Sequence, residues 1–134
     1  MITVDEFVER LCRLGADRGP RALPRRQRDR QILMKSIVMG LDGRRVYTEK
    51  EVNALLGAWN REVAPAIETD PVTLRRLLVD HGQLERTADG RAYRLGFPAG
   101  PVAFELEIDD IDLRATIAAF LELARRRPRR APGA

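Results

Sequence analysis

The side chains of this chain best suited to recognition chemistry are the adjacent Arg75 and Arg76. A guanidinium is a planar fork of donors that can meet a guanine edge or a phosphate bidentately. Placing residues 72–81 at helical intervals of about 100° puts Leu74, Leu77, Leu78 and His81 on one side. Val72, Arg75, Arg76 and Val79 fall around the other. On this reading Arg76, central on the outward face, contacts guanine, while Thr73 and Arg75 meet phosphate or neighbouring base edges. The same spacing supports a second arrangement. Asp80 lies four residues after Arg76, so the two can pair on the helix surface, and a carboxylate there repels phosphate.

Two further groups of arginines flank this pair. Arg86, Arg91 and Arg94 surround Asp89-Gly90, a dipeptide suited to a tight hairpin turn. On an exposed hairpin they reach a phosphate or a minor groove, or simply keep the hairpin soluble. Arg21, Arg25, Arg26, Arg28 and Arg30 form the densest block. At a helix start they can face a nucleic-acid backbone, or they can answer the acidic segment 105–112 within the fold. Lys35 and Lys50 are the only lysines. That skew suits bidentate contacts, although codon bias in a GC-rich genome produces it equally and is the preferred explanation.

Catalytic chemistry finds little footing. His81 is the only histidine and Cys12 the only cysteine. One lies on the apolar side of a helix near its end, and the other accompanies Phe7, Val8 and Leu11 as a small core or interface residue. Neither has a second soft ligand to share a metal. Glu49, Glu51 and Glu85 are explained by capping and surface charge, and no phosphate loop or nucleophile elbow is present. The expectation is a non-enzyme without cofactor or metal.

The elements that must position the arginines are clearly signalled. Thr48 with Glu51 spells a capping box, opening a helix with Val52, Leu55, Leu56 and Trp59 on one face. Asp70-Pro71 opens the arginine-bearing helix and Gly82 closes it. Residues 84–95 form two short strands around Asp89-Gly90, and residues 45–47 a first strand that pairs with them. The expected class is therefore α+β, mainly helical: a winged helix-turn-helix over residues 21–95. Residues 1–15 add an amphipathic helix (Val4, Phe7, Val8, Leu11, Leu14), and residues 26–41 a helix facing inward through Ile32, Leu33, Ile37, Val38 and Leu41. Between them, residues 16–25 read as an extended connection. Residues 96–101 are a breaker cluster. Residues 102–108 alternate like a half-buried strand, and Asp109, Asp110 and Asp112 can start a last helix carrying Leu113, Ile117, Phe120 and Leu121. Residues 96–124 are thus a strand-helix extension, and 125–134 a basic disordered tail.

At 134 residues, 44% of them hydrophobic and 33% charged, the chain suits one compact domain with appendages. It has no run of eighteen apolar residues for a membrane span and no signal-peptide pattern at its start, so it is expected in the cytoplasm, off the membrane. The net charge of +4 is unevenly distributed. Residues 18–42 carry seven basic against two acidic side chains, 43–96 nine against eight, and 97–124 one against six. A phosphate-binding surface must therefore recruit charge from outside the helix-turn-helix segment.

The blocks Leu23-Pro24-Arg25-Arg26, Tyr47-Thr48-Glu49-Lys50-Glu51-Val52-Asn53, Leu74-Arg75-Arg76-Leu77-Leu78-Val79-Asp80-His81-Gly82, Leu84-Glu85-Arg86 and Asp89-Gly90-Arg91-Ala92-Tyr93 make the chain resemble a bacterial family of uncharacterised winged-helix domains. The resemblance spans residues 21–95. It implies a fold found alone or fused to ArsR-like regulators or acetyltransferases, and usually labelled regulatory by analogy. The expected function is a double-stranded-DNA-binding transcriptional regulator, dimeric through its terminal helices, with Thr73, Arg75, Arg76, Arg86, Arg91, Arg25, Arg26 and Arg28 as contacts. The alternative is a non-catalytic winged-helix module for protein-protein interaction, favoured by the near-neutral balance of residues 43–96.

Overall fold

Side-chain caps define where the helices begin. Thr3 accepts from the Glu6 amide at 3.2 Å to open α1 (Val4–Gly15). Thr48 and Glu51 exchange hydrogen bonds of 3.1 and 3.0 Å, the capping box that opens α3 (Glu49–Glu62). Asp70 accepts from Thr73 N at 2.9 Å, with Pro71 in the first turn, to open α4 (Pro71–Asp80). Asp112 accepts from Ala115 N at 3.0 Å to open α5 (Leu113–Arg125). Each cap satisfies an amide that the first helical turn leaves orphaned. Among the α-helices of the described residues, α2 (Gln27–Val38) alone starts without a side-chain cap.

The computed structural model describes residues 1–97 and 102–127. Its strands are β1 (Tyr47–Thr48), β2 (Leu84–Arg86) and β3 (Ala92–Leu95). They form one antiparallel sheet in the order β1-β3-β2, with Tyr47 opposite Tyr93 and Leu84 opposite Leu95. The Asp89-Gly90 turn joins β2 to β3: Gly90 takes φ +71°, and the Asp89 carboxylate accepts from Thr87 Oγ1 at 2.6 Å and from Arg91 N at 3.0 Å. These bonds hold its pKa below the ordinary carboxylate value, the Thr87 hydroxyl contributing most. Gly82 (φ +73°) turns the chain out of α4, and Gly96 packs against it so closely that a Cβ would collide with the Gly82 carbonyl oxygen.

One core runs through these elements. Phe7 and Leu11 of α1, Ile32 and Leu33 of α2, Leu56 and Trp59 of α3, Leu74 and Leu78 of α4, and Tyr93 of β3 are all buried. Inside it Trp59 Nε1 donates to Ser36 Oγ at 2.9 Å, and Ser36 donates on to the Leu33 carbonyl, so the polar atoms of this patch satisfy one another. Buried Asp29 receives a bidentate fork from Arg10 at 3.0–3.2 Å, tying α2 to α1. Burial pushes the Cys12 thiol above its ordinary pKa, which suits a core residue and not a nucleophile.

Two expectations need correction. The strand expected over residues 102–108 is instead a single parallel bridge, Ile2 to Phe104, followed by a short 3-10 helix (Leu106–Asp110). Its partner is too short for a ladder, because α1 begins at Val4 and leaves Ile2 alone to pair, accepting from Glu105 N and donating to Ala103 O. Glu105, expected on a solvated strand face, reaches back to accept from Val4 N at 2.7 Å at the α1 start. The second helix ends at Val38, short of the expected Leu41. The breaker residues 98–101 and the tail beyond 127 lie outside the described residues.

Candidate nucleic-acid interface

The arginines on α4 have opposite fates. Arg76 is exposed and has no carboxylate partner among the described residues. The expected Arg76–Asp80 pair does not form. Arg75, expected on the outward face with it, is only 7% exposed. Its Nη1 donates to Asn53 Oδ1 at 2.5 Å, its Nη2 lies 2.8 Å from Glu49 Oε1, and its guanidinium sits 5.7 Å from the centre of the Tyr93 ring. Arg75 Nε is buried with no hydrogen-bond partner among the described residues. Arg75 therefore clamps α4 to the first turns of α3 and to β3. The helical wheel assumed one covered side, whereas α4 packs against both α3 and β2. The buried stripe is accordingly centred on Leu74, Leu78 and Arg75, with Leu77 and His81 half-buried at its edge.

Thr73 is exposed, but its hydroxyl donates to Asp70 Oδ2 at 2.8 Å. The Thr73 amide and this hydroxyl hold the Asp70 carboxyl below its ordinary pKa, with the positive charge of Arg76 adding to the effect. On the hairpin, Arg86 and Arg91 are exposed and lack ion-pair partners among the described residues, whereas Arg94 meets Glu85 at 3.2 Å. Arg86 lies 5.8 Å from the Tyr93 ring, so Tyr93 is approached by guanidinium groups from both α4 and the hairpin.

The basic block around the start of α2 is more occupied than its density suggests. Arg28 pairs with Glu6 at 2.5 Å and lowers that carboxyl's pKa, the hydrogen bond from Arg28 being the main cause. Arg21 donates to the carbonyls of Arg13 and Asp17, and Arg30 to that of Pro24 at 2.7 Å. Arg25 and Arg26 remain exposed without an ion pair among the described residues. None of these arginines answers the acidic segment; Lys35 does, through Asp109 at 2.6 Å. Arg75 and Arg86 meet at the Tyr93 ring, and among the described residues no ion pair or hydrogen bond links the block to them.

Sequence reasoning missed the cluster that Glu49 and Asn53 form with the buried Arg75 and Tyr93. The i,i+4 spacing of Glu49 and Asn53 was the available signal, and it does not identify Arg75 as their partner. His81 Nδ1 lies 2.9 Å from the Leu77 carbonyl, which can only accept, so this nitrogen carries the proton and the ring caps a helix end.

Residues 21–95, from just before α2 to the end of β3, match the family described as an uncharacterized protein conserved in bacteria (DUF2087). The chain belongs to this family. No curated protein and no solved structure matches this chain. The DUF2087 segment includes every candidate contact and the whole Arg75 clamp, whereas α1, the 3-10 turn and α5 lie outside it. No helix among the described residues is long and apolar enough to cross a membrane.

Proposed function

We infer that this chain is a winged helix-turn-helix DNA-binding protein acting as a transcriptional regulator, with α4 as the recognition helix and the β2–β3 hairpin as the wing. The observation that carries the reading is the set of exposed arginines on these two packed elements. Arg76, Arg86 and Arg91 lack acidic partners among the described residues, while neighbouring arginines are buried or paired. A free guanidinium costs no ion pair when it meets phosphate, and a recognition helix beside a two-stranded wing suits the major groove and the adjacent backbone. The order α2, β1, α3, α4, β2, β3 with sheet order β1-β3-β2 supports the same reading. Exposed Leu121 and Leu123 on α5 support a homodimer through the terminal helices. Operation in the cytoplasm belongs to the same proposal.

Fluorescence anisotropy with random duplex DNA over a salt series tests this. Binding should weaken steeply with salt, and Arg76→Ala with Arg86→Ala should flatten the slope by about one per lost phosphate contact. Absence of binding at low salt rejects the reading in favour of the protein-interaction module.

A further inference from the structure

Of the residues of α5, Ile117 alone is buried. At about 100° per residue, Asp112, Ala115, Ala119, Leu123 and Arg126 fall within a stripe about 80° wide on the side of the helix away from Ile117. All five are exposed, Leu123 at 64%. One exposed leucine is ordinary on a protein surface. The order of this stripe is not, because it opens on a carboxylate, closes on a guanidinium and is apolar in between.

Such a stripe is complementary to itself when a second copy of the helix is turned end for end about Ala119. Asp112 of each copy then faces Arg126 of the other, Leu123 of each lies over Ala115 of the other, and the two Ala119 methyl groups meet on the two-fold axis. Large side chains set against small ones fill the seam, and opposite charges close both of its ends. A parallel pairing instead sets like charge against like at each end and Leu123 against Leu123. The end groups are free to take part. The Asp112 carboxylate accepts from the Ala115 amide at 3.0 Å and has no cation partner among the described residues. Arg126 meets only Glu122 of its own helix, at 3.3 Å, in a surface pair that exchanges readily. We propose that two copies of this chain associate through an antiparallel seam between their α5 helices, centred on Ala119. This rests on the dimer of the reading above and names its surface and geometry, and it is measured without DNA, so either can fail while the other stands. A helix of this length spans about 20 Å. The seam is therefore smaller than a standard interface of roughly 1,600 Å², and the dimer should be a reversible one of micromolar stability.

Sedimentation equilibrium of the full chain, from low to high micromolar concentration, should show monomer and dimer in exchange, with the dimer weakening as salt rises. Ala119→Glu places two carboxylates on the axis and should weaken dimerisation about thirtyfold or more. Asp112→Asn keeps the helix cap and removes the end charge, and should weaken it about threefold. Cysteines read the register, since the native Cys12 is buried and does not compete. On mild oxidation Ala119→Cys should cross-link to itself, whereas Ala118→Cys, about 100° round the helix, should not. Ala115→Cys mixed with Leu123→Cys should give a cross-linked heterodimer, and neither should cross-link alone. A single monomeric species at every concentration overturns the proposal, as does a dimer that a natively folded Ala119→Glu leaves intact. Self-cross-linking of Ala115→Cys and of Leu123→Cys, each alone, overturns the antiparallel arrangement. Should Ala119→Glu fail to fold, the cysteine pairs decide.

Discussion

The basic block around the start of α2 and the α4–hairpin region both present arginines at high density, yet they place them differently. Around the start of α2, Arg21, Arg28 and Arg30 are occupied by the protein's own carbonyls and by Glu6, and Arg25 and Arg26 are exposed. On α4 and the hairpin, the occupied arginines are Arg75 and Arg94, and Arg76, Arg86 and Arg91 stand open. Charge density in a sequence is therefore a poor measure of available charge. What counts is whether the fold brings a carboxylate or carbonyl within reach.

The comparison breaks most severely if the α4–hairpin junction is disrupted. Gly96→Ala drives a methyl group into the Gly82 carbonyl, backbone against backbone, and should cost about 3 kcal/mol. Urea unfolding measures this, and stability unchanged from wild type would mean that the junction can open without loss. Arg75→Met comes next, at about 2 kcal/mol, because Asn53 loses its donor while the half-exposed Glu49 can turn to water. Arg75→Lys should recover little, since one ammonium cannot serve two acceptors in fork geometry. Full recovery would show that only charge matters there.

A sharper contrast comes from DNA binding. Arg76→Ala and Arg86→Ala should each weaken random-duplex binding about fivefold at moderate salt, whereas Arg28→Ala should leave both affinity and salt slope in place. An equal loss for Arg28→Ala would erase the distinction between the two regions. The smallest effect concerns acid stability. Asp70 titrates below its ordinary value because Thr73 hydrogen-bonds its ionised form, so its contribution is present above the unfolded-state pKa and disappears as pH falls through the lower folded-state value. The stability difference between wild type and Asp70→Ala should therefore be constant at neutral pH and close below about pH 4. A difference that persists to pH 2 would assign the cap to something other than the carboxylate.

Local signals along the chain set the punctuation of this protein. Thr3, the Thr48–Glu51 box, Asp70-Pro71, Gly82, Asp89-Gly90 and Asp112 act within three or four residues of where they stand, and local geometry suffices to read them. The order of elements over residues 21–95 follows from those signals. Tertiary structure alone decided which side of α4 was covered, because two elements press on it and a wheel drawn on one helix sees neither. It turned Arg75 from an outward contact into a buried clamp, and left Arg76 open although Asp80 stood at pairing distance along the chain. It also reduced the alternating residues 102–108 to one bridge. A period of two states a preference for strand but cannot supply a neighbour, and Ile2 offers a single residue before α1 begins. Contacts set by spacing within one segment were legible; contacts between segments far apart in the chain depended on how the core closed.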